Sequence, residues 1–174
     1  SSVDAEHDLA SIQNHFVNIY RDLEPILERH KNLEDPILQY HYLAHESWWV
    51  SDDRKGHYAS HVDLLKGTID RLFYKPDHPG TMAYIEKYIR ELDESYAMMK
   101  HLLLNPEEHG ILDLLALGRQ AVFYPLLIKT HKMDDSTDKK QFLRVVRLME
   151  IISFRVWGVL RRRSNAGQDR LFAL

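Results

Sequence analysis

Hydrophobic residues recur along the chain at spacings of three and four, and alternating runs of Val, Thr and Ile are missing, so the period is that of helices. From about Val3 to Tyr20 and beyond, Leu9, Ile12, Phe16 and Ile19 share one face, and Pro25 is expected to kink or restart this helix. Asp35-Pro36 is a start signal, with Asp as N-cap and Pro at the first helical position; Ile37, Tyr40, Leu43 and Trp48 then face inward. Ser51 to Gly56 breaks that helix before a third, about His57 to Phe73, whose stripe is Val62, Leu65, Ile69 and Leu72.

Pro76 to Gly80 reads as a loop, after which Thr81 is expected to cap a fourth helix carrying Met82, Ile85, Ile89, Leu92 and Tyr96 and ending near Asn105-Pro106. Ile111 to Ile128 is apolar on nearly all sides, which suggests a central helix, or two joined at Gly118 and bent at Pro125. Asp134 to Asp138 supplies a loop and an acidic first turn for the longest helix, about Thr137 to Leu160, with Phe142, Val145, Met149, Ile152, Val156 and Val159 as its inner stripe. Arg161 to Arg163 complements the negative end of that helix, Ser164 to Gly167 ends it, and Gln168 opens another short one. No repeat or linker divides the chain, so the expectation is one all-α domain over residues 1–174, a bundle of six or seven helices.

Composition sharpens this picture by exclusion. At 174 residues, 44% hydrophobic and 28% charged, the chain can bury a core without disulfides or a structural metal. The absence of cysteine removes disulfides, thiolate zinc sites, redox pairs and a cysteine nucleophile. No run reaches the roughly 18 apolar residues of a membrane span, and a reducing cytoplasm is the default compartment. Ser1 stands where an initiator Met would, and the chain stops in apolar Leu171 to Leu174, ends that suggest a piece of a longer protein, with a processed terminus as the alternative.

Histidine is the compositional oddity, at 11 residues. His41 and His45 are spaced i,i+4 on one expected helix, and His57 and His61 repeat the spacing on the next. Two such pairs on antiparallel neighbours could place four imidazoles around zinc or another late transition metal, with Glu46 nearby. The pair lacks the glutamate after its first His that a zinc-protease helix uses as general base. The competing reading is of histidines that edge the core or line a polar groove. Glu-x-x-His pairs for a di-iron bundle, phosphate-binding glycine loops and strained-turn serines are all missing, Ser95 among the unsupported serines. Trp48-Trp49 and the tyrosines of the second and fourth helices fit core packing better than ligand stacking.

Charge is unevenly distributed. Residues 139 to 170 hold nine Lys and Arg against two acids, a net +7, which leaves −10 for the remainder. A basic C-terminal end could contact nucleic-acid phosphate, or could serve helix-end complementarity and salt bridges to the acidic remainder.

Several stretches are similar to the helical region of the GmrSD-like group of modification-dependent, type IV DNA restriction proteins. They are Ile37-Leu-Gln-Tyr-His-Tyr-Leu43, Tyr88-Ile-Arg-Glu-Leu92 with Tyr96, Phe123-Tyr-Pro-Leu-Leu-Ile128, and Leu148-Met-Glu-Ile-Ile-Ser-Phe-Arg155 leading to Arg163-Ser-Asn165. The resemblance covers roughly residues 35 to 174. In that family a ParB/sulfiredoxin-like nucleotide-hydrolysing domain precedes such a region, and many members continue into an HNH nuclease domain. The family's Asp-Gly-Gln-Gln-Arg-type motif is absent, as is a His-Asn-His pattern, so no catalytic residue carries over.

The resemblance implies a non-catalytic scaffold or linker, without a cofactor in this segment. Its partners would be DNA and the other domains of a parent protein, on this resemblance a nucleotide-dependent DNA endonuclease. Arg155, Arg161, Arg162, Arg163 and Asn165 are the expected DNA or interdomain contact. Two alternatives stand beside this reading: a self-standing metal-dependent bundle using His41, His45, His57 and His61, and a helical protein-interaction module.

Overall fold

The computed structural model describes residues 2–45, 61–74, 78–117 and 120–160, and among these every regular element is helical. The α-helices are α1 (Ser2–Arg29), α2 (Glu34–His45), α3 (His61–Tyr74), α4 (His78–Leu104), α5 (Leu112–Ala116), α6 (Tyr124–Met133) and α7 (Lys140–Ile152). A 3₁₀ turn, Gln120–Phe123, leads into α6, and α7 runs on as a π-helix through Ser153–Val159. The all-α bundle expected from periodicity is what the chain adopts. None of the described helices is long and apolar enough to cross a membrane.

Helix α4 is the central element. On one side it carries α1, tied by Lys100 Nζ to Asp22 Oδ1 at 2.8 Å and by His15 Nδ1 to Asp93 Oδ2 at 2.7 Å. Asn18 Nδ2 donates to the same Asp93 oxygen at 3.1 Å. Against α4 also lies α2, whose first turn accepts a hydrogen bond from Tyr96 Oη at the Glu34 carbonyl, 3.1 Å away. Helix α6 packs on α2, and α7 packs on α6. Ile26, Ile37, Met99, Leu102, Ile111, Leu114 and Leu127 are wholly buried where these helices meet, each stabilising the fold by roughly 2 kcal/mol.

Several local expectations are corrected. Pro25 does not break α1, which continues to Arg29; one lost backbone hydrogen bond is outweighed by packing of the wholly buried Ile26 beside it. Asp35 is not an N-cap, because α2 opens one residue earlier at Glu34, although Pro36 still falls in the first turn, where it is tolerated. Thr81 is not a cap either. Helix α4 begins at His78, and Thr81 is a buried residue inside it. Val62 and Met82 stand on the surface.

The apolar run from Ile111 to Ile128 divides into α5, the 3₁₀ turn and α6, with Pro125 in the first turn of α6 rather than at a bend. The stripe expected for α7 is rotated: Phe142 and Met149 are buried as expected, but Val146, Ser153 and Trp157 join them while Ile152 and Val159 are exposed. Val146 lies four residues after Phe142 and three before Met149, the ordinary α spacing of one face, and the wider π turn acts only beyond Ile152. It keeps positions four apart, Met149, Ser153 and Trp157, on the inner side, where the Trp157 ring lies 5.1 Å from that of Phe123. Trp48, the loop from Ser51 to Gly56 and Arg161 onward lie outside the described residues.

Asp134 starts α7 from a distance. Its carboxylate accepts the Phe142 amide at 2.9 Å and the amide and hydroxyl of Ser136, which holds its pKa down to about 2. Gly110, at φ +63°, ends the loop between α4 and α5, and a Cβ there would meet the Leu143 side chain at 2.9 Å. The Leu143 terminus can yield, so the left-handed backbone sets the cost. Gly110→Ala is expected to lower stability by about 1–2 kcal/mol in urea unfolding, and Gly110→Asn by less. An unchanged midpoint for Ala would show that this loop does not hold its left-handed turn.

Candidate functional site

The two histidines singled out on α2 meet the middle of α4. His41 and His45 lie one turn apart, their rings tilted with centroids 4.8 Å apart. Glu91 and Ser95, one turn apart on α4, face them, as i,i+4 positions on a helix must. Ser95 Oγ donates to the Glu91 carbonyl at 2.9 Å, using its single proton. It therefore accepts from His41 Nδ1, also 2.9 Å away, which fixes His41 as the Nδ1–H tautomer and leaves Nε2 a bare lone pair. That Nε2 is buried without a hydrogen-bond partner, and the edge of Tyr88 packs against the ring at 5.1 Å.

His45 completes the cluster more loosely. Its Nε2 is 3.4 Å from Ser95 Oγ and its Nδ1 is 3.8 Å from Glu91 Oε1. Lys132 reaches in from α6, with Nζ 3.1 Å from Glu91 Oε1 and 2.9 Å from Glu94 Oε2. A cavity of about 220 Å³ opens beside these groups, bordered by His45, Ser95, Met98, Ile128 and His131 together with Glu94, Lys132 and Lys139. It is smaller than ordinary ligand pockets, and its charged groups are already engaged. Lys139 Nζ donates to the backbone carbonyls of His131 and Asp134.

Burial keeps the histidines neutral. It pushes His41 down to about 3, helped by repulsion from His45 and Lys132, and it lowers His45 against the opposing pull of Glu91. A second row of imidazoles, His101, His109 and His131, runs along the base of α4 and α6 with centroids 5.9 and 6.0 Å apart. Burial and Lys139 bring His131 to about 4.

Ser95, His45 and Glu91 stand in the chain order of contacts of a nucleophile, base and carboxylate, but the geometry does not serve acyl transfer. The serine proton is committed to a helix carbonyl, and the α4 amides around it are spent on their own helix, so among the described residues the backbone at Ser95 offers no free pair of donors for an oxyanion. The cluster is instead a polar joint between α2, α4 and α6.

Of the four histidines considered as metal ligands, the structure brings His41 and His45 together. His57 and the side chain of His61 lie outside the described residues. Among the described residues no group of three or more His, Asp or Glu is placed to hold a metal ion. Arg155 is exposed on the π turn, while Arg161, Arg162, Arg163 and Asn165 are not among the described residues. Sequence reasoning missed Glu91, Glu94 and Lys132, and passed over Ser95 as a nucleophile. The i,i+4 pairing of Glu91 with Ser95, on the same expected helix as the apolar Ile89, Leu92 and Tyr96, was the available signal.

Ser95→Ala removes the hydroxyl that satisfies a buried imidazole and is expected to cost about 1–3 kcal/mol in chemical unfolding. Equal stability would mean that His41 finds another partner at no cost. Acid should also unfold the protein early. The unfolded chain takes up protons on histidine below about pH 6.5 that the folded chain refuses until about pH 3 at His41, so stability is full above pH 7 and falls as pH drops through that window. His41 alone contributes a loss of about 3 kcal/mol between pH 7 and pH 4. Urea midpoints measured across that range, for wild type and His41→Gln, check this: a flat wild-type profile, or an equally steep variant profile, counts against it.

Comparison with family models, curated proteins and solved structures finds no match to this chain.

Proposed function

We propose that the chain is a non-catalytic helical scaffold of a GmrSD-like, modification-dependent restriction protein, holding nucleotide-hydrolysing and nuclease domains in register. The observation that carries this reading is the closed polar joint of His41, His45, Ser95, Glu91 and Lys132. Ser95 is spent on His41 and on the Glu91 carbonyl, and Lys132 on Glu91 and Glu94, which suits a rigid framework better than a turnover site. Two of the segments that resemble the family, Ile37 to Leu43 and Tyr88 to Tyr96, supply His41, Glu91 and Ser95 of this joint, while His45 and Lys132 lie just beyond the quoted stretches.

Of the two contacts considered for the basic end, a protein surface is favoured over DNA. Arg155 stands among the exposed Ile151, Ile152, Phe154 and Val159, and apolar side chains mixed with arginine match protein interfaces better than phosphate-binding faces.

The test uses the complete polypeptide in which this chain occurs. An Asp-Gly-Gln-Gln-Arg-type motif upstream and an HNH pattern downstream are expected in the same reading frame. Ser95→Ala combined with His45→Gln should lower the melting temperature while turnover per folded molecule stays within about twofold. A loss of about 100-fold or more with the fold retained would make the joint catalytic and overturn the proposal.

A further inference from the structure

The three imidazoles at the base of the bundle take no part in the α2–α4–α6 joint, and they stand where four elements meet. His101 lies in the last turn of α4, His109 in the loop between α4 and α5, and His131 in the last turn of α6. Their rings follow one another edge to face, at interplanar angles of 65° and 71°. The fourth element is α7, whose Phe142 sets its ring edge-on to that of His131, at 5.0 Å and 82°. The next residue, Leu143, packs against Gly110 beside His109. Among the described residues none of the three rings is in an ion pair.

The charges around the row favour neutral rings while α7 is docked. Lys139, whose Nζ donates to the His131 carbonyl at 3.2 Å, repels a proton on the His131 ring, as do His109 and His101. Asp134 opposes them, but its carboxylate holds the Phe142 amide and Ser136. Glu108 faces His109, and Lys140, in the first turn of α7, is paired with Asp138 at 2.6 Å. Across the cavity that His131 borders stand His45, Glu94 and Lys132, the lysine held by Glu91 and Glu94. The helix ends act in opposite senses. Helix α7 brings its positive N-terminal end to His131, whereas His131 itself sits at the negative end of α6. Undocking α7 removes the first influence and leaves the second, so the open form binds a proton on His131 more readily than the closed one. It would also relax Lys139, which as N-cap of α7 holds a left-handed backbone at φ +47°.

We propose that the histidine row is an acid-operated latch: it holds the first turns of α7 against α6 and the α4–α5 loop while its rings are neutral, and releases them when the rings gain protons. The two states bind protons in the direction this requires. In the docked form burial, Lys139 and His109 hold His131 down to about 4, and burial with His101 lowers His109. In the released form both return toward the ordinary histidine value of about 6.5. The docked form is therefore fully favoured above about pH 7 and loses ground as pH falls through 6.5 toward 4. From His131 alone the released population rises about 20-fold between pH 7 and pH 5, and His109 multiplies that rise. Protons on neighbouring rings also repel each other, with centroids 5.9 and 6.0 Å apart. The latch is independent of the scaffold reading. It differs as well from the effect of His41, which weakens the whole bundle, because only one end of α7 moves.

Amide hydrogen exchange at pH 7 and pH 5, expressed as protection relative to the unfolded-chain rate at each pH, tests this. Amides in the first two turns of α7 are expected to lose protection by about 20-fold or more at pH 5. They should remain less protected at both pH values than the buried α4 amides around Met99 and Leu102, which marks an opening within a folded bundle. His41→Gln should leave the α7 loss as it is. His131→Gln should reduce the loss to the part that His109 carries, and His131→Gln with His109→Gln should abolish it. His109→Gln alone, in the half-buried loop, should already shrink the loss, and it keeps the test open if removal of the ring against Phe142 prevents folding. Wild-type α7 protection that does not change with pH, a loss that persists undiminished in the histidine variants, or α7 and α4 amides of equal protection at both pH values would each overturn the proposal.

Discussion

Two imidazoles on α2 face a single hydroxyl on α4, and the arrangement of the bundle depends on how that shortage is met. Ser95 has one proton and gives it to its own helix, so it can only accept, and it accepts best from His41. That fixes the depth and rotation of α2 against α4. His45 is then left at the edge, within reach of Glu91, and Lys132 from α6 balances the carboxylate. A hydrophobic joint at this crossing would tolerate sliding by a fraction of a turn. A polar one does not, because a displaced donor or acceptor in a dry interior loses its partner without regaining water.

The second organising pair lies on the opposite flank of α4. Asp22 and Asp93 are each held by groups across the α1–α4 seam, Lys100 for one and His15 with Asn18 for the other. Long helices packed mainly through Leu and Ile can shift by one ridge, and charged anchors at two levels remove that freedom. Helix α4 thus presents one polar constraint to α1 and another to α2 and α6, while the apolar residues between them supply most of the burial.

Much of this was legible in the sequence and some was not, for identifiable reasons. Helical period and the loops at Asn105-Pro106 and Asp134 to Asp138 came through because they depend on neighbours in the chain. Pro25 and Thr81 misled because local preferences of about 1–3 kcal/mol were overridden by tertiary burial of the residues around them. The pairing of His41 and His45 was visible as spacing, but its meaning lay in Ser95, Glu91 and Lys132, which are 46 to 91 positions away and come close only when the bundle forms. The α7 stripe failed most instructively. Apolar residues occupy more than half its circumference, so periodicity could not say which arc faces inward.

That surplus gives the π turn a particular importance. A π segment is what one extra residue leaves in an α-helix, and here it separates two readings of the same sequence. In the register adopted, Ser153 and Trp157 face the core; in an unbroken α-helix Val156 and Leu160, three and seven residues after Ser153, would share that side. The segment therefore contains the apolar residues for two packings, and the position of the bulge selects between them. Sliding the bulge by a turn would exchange a tryptophan for aliphatic residues at the core boundary without melting the helix, which makes helical phase, rather than helix formation, the variable that this end of the bundle must hold fixed.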